Sequence, residues 1–180
     1  MDIQEPLQLE RNLSQLAEDL LQAAVDRDFS VASAESCTGG LIASTLTGIE
    51  GLSSAFSSGF VTYSDEAKTG LLGIPMAQID RYGAVSPQIA LAMARRALAI
   101  SDADVAVAVS GYTGPAGGHE NGLVHVAARD RAGQEIHGEF HLGEVERNEG
   151  RQLAAAAALR ILHDAILKAG IGGGASRLAK

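Results

Sequence analysis

Asp104-Val105-Ala106-Val107-Ala108-Val109-Ser110, DVAVAVS, sets five apolar residues in a row between a carboxylate and a hydroxyl. A strand with one wet face alternates apolar and polar residues. An unbroken apolar run of this length fits a strand covered on both faces, with helices doing the covering. Its closing serine opens SGYTGPAGG, residues 110–118, a glycine-rich stretch that predicts a loop at the carboxyl end of that strand.

Upstream, Leu9, Leu13, Leu16, Leu20 and Leu21 recur at helical spacing and predict a first helix ending near Arg27. Phe29 to Ala34 reads as a strand. Gly39 to Leu46 reads as a helix closed by Thr47-Gly48, and Phe60 to Tyr63 as a second strand. Ser64 is placed to cap a short helix over Asp65 to Leu71, and Pro75 opens another short one before Gly83. Ser86-Pro87 announces a longer helix through Leu98. Downstream, Leu123 to Ala128 and Glu135 to Leu142 read as a hairpin around the Asp130–Gly133 turn. A last, alanine-rich helix runs from about Glu149 to Lys168. The expected fold is α/β: a single compact layered domain, residues 9–169, with a central mixed β-sheet flanked by helices, and a flexible tail over 170–180. Strand order is not legible in this pattern.

Net charge is -8, from 22 acidic and 14 basic residues. That balance argues against general binding to nucleic acid or to an anionic membrane, though not against one small anion in a local pocket. No apolar run is long enough to span a bilayer, and the acidic start MDIQEPLQLE has no apolar signal core. Cys37 is the only cysteine, so no intrachain disulfide forms. A cytoplasmic location is expected.

Three stretches offer chemistry. AESCTGG, residues 34–40, sits at a strand-to-helix junction, where Gly39-Gly40 permits close backbone approach and the helix start offers amides to an anion. It has neither the P-loop lysine nor the dinucleotide glycine spacing. Within it, a reactive Ser36 needs a base. Cys37 is expected to pack, and only one of these two neighbours to face a cleft. YSDEAK, residues 63–68, supplies Lys68 as a base if this segment folds over Ser36, with Tyr63 as relay; otherwise Lys68 is a solvated helix charge. The third stretch is SGYTGPAGG itself, with Ser110 facing a cleft or the loop serving as a connector. Glu35 is either an orienter or a loop anchor. Arg147 and Arg151 are candidates for a phosphate. The five histidines lie late in the chain, without the spacing of a metal site.

AESCTGG, SGFVTYSDEAK at 58–68, LGIP at 72–75, GAVS at 83–86 and SGYTGPAGG together resemble the CinA C-terminal domain family, whose enzymes are nicotinamide-nucleotide amidases (NMN deamidases, PncC-like). The likeness extends over about residues 9 to 168. It implies hydrolysis of nicotinamide mononucleotide to nicotinate mononucleotide and ammonia by a Ser-Lys mechanism. The alternative is a noncatalytic nucleotide-binding or regulatory domain of the same fold. It places the catalytic roles on Ser36, Lys68 and Tyr63. Substrate binding falls to Thr38, Gly39, Gly40, Ser110 and Gly111, with Arg147 and Arg151 competing for the arginine role. It implies no metal or other cofactor, a pyridine-nucleotide substrate and a homodimer. The sequence departs from the family where SGIAGP becomes SGYTGP and where His119-Glu120-Asn121 replaces a longer, lysine-bearing loop.

Overall fold

Val105–Gly111 forms the middle strand of a five-stranded sheet in the computed structural model, which describes residues 6–114, 117 and 119–170, with side chains from Leu13 onward. Numbering the strands along the chain, β1 is Val31–Glu35, β2 Phe56–Val61, β3 Val105–Gly111, β4 Leu123–Asp130 and β5 Glu135–His141. They lie in the order β2-β1-β3-β4-β5. β1 runs parallel to both β2 and β3, whereas β3/β4 and β4/β5 are antiparallel. The sheet is therefore mixed, as expected.

Six α-helices flank it among the described residues: α1 Pro6–Asp26, α2 Leu41–Thr47, α3 Asp65–Leu72, α4 Met76–Tyr82, α5 Pro87–Ile100 and α6 Arg147–Lys168. The Val/Ala alternation of β3 separates the two layers. Val105, Val107 and Val109 pack with Leu20 and Leu21 of α1 and Leu159 and Leu162 of α6. Ala106 and Ala108 face the other way, against Ile89, Ala90 and Met93 of α5. All five are fully buried, so each strand face has its own apolar core, and small side chains let α5 come close.

The chain leaves β1 toward β2 on one side and returns from β2 to β3 on the other. β1 and β3 thus bound a topological switch point, where loops at the strand carboxyl ends part and leave a crevice. Both glycine-bearing loops begin there.

Several expected boundaries shift, among them the first strand, which occupies Val31–Glu35 rather than Phe29 to Ala34. The second strand occupies Phe56–Val61 rather than Phe60 to Tyr63. Its Ser57-Ser58-Gly59 centre has little intrinsic strand preference, and pairing with β1 decides the matter. The last helix starts at Arg147 rather than Glu149, with Glu146 at its N-cap and no side-chain cap bond to mark it. The expected tail from residue 171 onward lies outside the described residues, as do loop residues 115, 116 and 118.

Candidate functional site

The first wall of the crevice is built on Glu35, the last residue of β1. Its carboxylate is fully buried and accepts five hydrogen bonds. Oε2 receives the Thr38 hydroxyl at 2.7 Å and the N–H groups of Gly40 and Ile42 at 3.0 Å. Oε1 receives Ala43 N–H at 2.8 Å and the Ser33 hydroxyl at 3.3 Å. A negative charge thereby satisfies amides that α2 would otherwise leave open at its start. Glu35 is a loop anchor. The turn also needs Gly39 and Gly40, which sit at φ 59° and 93°, a region side chains disfavour. Ser36 N–H donates to Val109 O of β3 at 3.1 Å, which holds this serine at the junction of the two strands.

The second wall comes from the start of α3. Ser64 caps that helix through Ala67 N–H, with Asp65 and Glu66 in its first turn. Lys68 lies one turn in and is almost fully buried, at 1% exposure, yet its Nζ reaches the crevice and pairs with Asp65 Oδ1 at 3.2 Å. Tyr63 stands at the rim, 65% exposed.

The third wall follows β3. The Ser110 hydroxyl donates to Ala84 O at 2.7 Å, tying the strand end to the segment before α5. Tyr112 N–H donates to Leu123 O at 2.8 Å. Thr113 is buried beneath α6, where a Cβ on Gly150 would lie 2.6 Å from Thr113 O. Arg147, the first residue of α6, reaches across Gly114 to the mouth.

Together these walls enclose a cleft of about 250 Å³. Ser36, Lys68, Tyr63, Ser110, Gly111 and Arg147 all line it. Thr38, Gly39, Gly40 and Arg151 do not. Thr38 is fully buried, with its hydroxyl committed to Glu35. Arg151 donates from Nε and Nη2 to Thr38 O, at 3.1 and 2.9 Å, and so clamps α6 onto the β1–α2 loop. Of the two competing arginines, Arg147 is on the wall and Arg151 is part of the frame.

Ser36 and Cys37 both touch the cleft, each 8% exposed, contrary to the expectation that only one would. They lie in a turn rather than in a strand, so the alternation of an extended chain does not apply. Their chemistry separates them. Burial pushes the Cys37 thiol up to about 12, only partly offset by backbone N–H groups and by Lys68. Such a thiol is a poor nucleophile near neutral pH.

Among the described residues no histidine lines the cleft directly, though His119 stacks on Tyr112 behind its wall. His125 and His137 sit side by side on β4 and β5, with ring nitrogens 3.2 Å apart, and burial lowers the pKa of His125. His141 contacts Glu120 and Glu139. Among the described residues no group of three His, Cys, Asp or Glu side chains is placed to hold a metal ion. Also among the described residues, no helix is long and apolar enough to cross a membrane. Sequence reasoning missed Asp65 and Tyr112 as wall residues. The three-residue spacing of Asp65 and Lys68 on one helix was the available signal for the first. The departure of SGYTGP from the related SGIAGP was the signal for the second.

The sequence model of the CinA C-terminal domain matches residues 13–166. A CinA-like protein of Akkermansia muciniphila is 47% identical over 142 residues, which are 77% of this chain and 34% of that protein. The chain thus spans about a third of the length of that relative. A protein of Enterobacter agglomerans named nicotinamide-nucleotide amidohydrolase PncC is 48% identical over 109 residues, 61% of this chain and 66% of that one. Among solved structures, the competence/damage inducible protein CihA from Agrobacterium tumefaciens superposes with a TM-score of 0.83 at 39% identity, covering 93% of this chain and all of its own.

Proposed function

Because the chain belongs to the CinA C-terminal domain family, we propose that it hydrolyses the carboxamide of nicotinamide mononucleotide, giving nicotinate mononucleotide and ammonia. One observation carries the reading. Ser36, Lys68, Ser110 and Arg147 come from four separate segments of the chain and line a single cleft at the switch point of the sheet. The amidohydrolase name of the Enterobacter agglomerans relative supports the substrate.

In this mechanism Ser36 Oγ attacks the carboxamide carbon while Lys68 Nζ takes its proton. The tetrahedral intermediate collapses by breaking the C–N bond, and the Lys68 ammonium returns the proton to the departing nitrogen. Water then attacks the acyl-serine, losing a proton to Lys68; the C–Oγ bond breaks, the Lys68 ammonium returns that proton to Ser36 Oγ, and the acid product leaves and ionises to nicotinate mononucleotide. Tyr63 at the rim orients or relays. Asp65 keeps Lys68 from swinging away by accepting a 3.2 Å hydrogen bond from Nζ. Arg147 on the cleft wall offers its planar fork to the phosphate. The same reading makes the protein a cytoplasmic homodimer, to be checked by light scattering.

Ammonia release from purified protein and nicotinamide mononucleotide tests the reaction. Ser36→Ala should abolish release and Cys37→Ala should retain most of it. Lys68→Arg keeps the positive charge but loses the easily neutralised base, and should stop acyl-serine formation in a single turnover. Binding without release, identical in wild type and Ser36→Ala, would instead favour a regulatory nucleotide-binding domain.

A further inference from the structure

Tyr112 is the one aromatic side chain on the wall formed by the β3–β4 loop, and it does not stand alone. His119 stacks on it with ring centroids 4.9 Å apart and planes within 8° of parallel. Its backbone is fixed on both sides, by the 2.8 Å bond to Leu123 O and by Thr113 lodged under Gly150. The result is a ring on a fixed backbone, backed by a second ring, on the cleft wall formed by this loop, with Tyr63 at the rim as the other aromatic lining the cleft. Carboxylates of Glu144, Glu146 and Glu149 line a hollow that adjoins the cleft at Gly114. Arg147 stands at the same corner, beside Gly114, so these carboxylates offset part of its charge there.

Resting on the amidase reading, we propose that Tyr112, backed by His119, is the specificity wall of the site and selects a positively charged aromatic ring. A tyrosine ring attracts a cation through its electron-rich face, the more strongly when water is excluded. The pyridinium of an oxidised nicotinamide nucleotide is flat and cationic. The dihydropyridine of its reduced counterpart carries the same carboxamide, ribose and phosphate without the ring charge. The wall therefore discriminates between two ligands that the hydroxyls and Arg147 cannot tell apart.

Calorimetric binding to Ser36→Ala protein, which holds the ligand without turnover, tests this with oxidised and reduced nicotinamide mononucleotide. The expected preference for the oxidised form is about tenfold, the scale of one partly desolvated cation–π contact. Tyr112→Phe keeps that ratio. Tyr112→Ile, which installs the apolar residue found in the related motif, brings it to within about twofold of unity. His119→Ala lowers it in part. An unchanged ratio in Tyr112→Ile, or equal losses for both ligands, overturns the proposal. If wild-type protein releases ammonia while the ratio ignores Tyr112, only this inference fails. If it neither releases ammonia nor binds either ligand, the amidase reading fails with it.

Discussion

Glu35→Gln is the substitution whose consequences the structure specifies most fully. All five partners of the buried carboxylate are donors, and an amide has only one oxygen with which to accept. The least costly orientation puts the new NH2 at the Oε1 position. There the Ser33 hydroxyl can turn round and accept, but Ala43 N–H is left facing another donor. Losing a bond to a charged acceptor costs about 1.5–3 kcal/mol. The three donors left on the carbonyl oxygen fall from charge-assisted to neutral strength, about 1 kcal/mol each at most. Against this, the amide avoids the several kcal/mol of desolvation that a buried carboxylate suffers. The expected net loss is about 2–4 kcal/mol, or about 5–15 °C in Tm for a chain of this size. Urea unfolding followed by circular dichroism measures it. Thr38→Val, which removes one of the five donors, should cost about 1.5–3 kcal/mol. A Glu35→Gln protein with wild-type stability would refute the anchoring argument. Wild-type stability with ammonia release lost would assign Glu35 to the chemistry instead.

The two arginines should separate cleanly. Arg147→Ala raises KM for the nucleotide with little change for the unphosphorylated riboside, whereas Arg151→Ala lowers Tm by releasing Thr38 O; equal behaviour of the two variants in both assays would contradict the assignment. Gly150→Ala places a methyl group 2.6 Å from Thr113 O, with backbone rather than a flexible chain end in the way. Denaturant unfolding should show a loss of about 1–3 kcal/mol. Hydrogen bonds from Arg95 first, and from Arg129, hold Glu135 at about 2 rather than its ordinary 4.5, against a smaller effect of burial. Its folded pKa is depressed, so its contribution is full above pH 4.5 and drains away as pH falls toward 2. Tm measured across that interval should fall less steeply in Glu135→Gln than in wild type.

Much of this protein is decided locally and can be read from its residues in order. Val105 to Val109 must be covered on both sides wherever it lies. Ser64 caps α3 and Ser86-Pro87 starts α5 through hydroxyls three residues from the amides they satisfy. Five short motifs in order carry the family likeness. These signals act over a few residues, so no other part of the chain is needed to interpret them. What the tertiary structure alone decided involves partners distant in sequence. Thr38 and Arg151 lie 113 residues apart, and their pairing turns one candidate arginine into a strut and leaves Arg147 to the cleft. β2 forms from Ser57-Ser58-Gly59 only because β1 offers its edge. Tyr112 becomes a wall because Gly150 lets α6 settle on Thr113. Each depends on desolvation and close packing between elements that meet only in the folded chain, and no pattern along the sequence encodes which of two equally charged or equally polar side chains will find that partner.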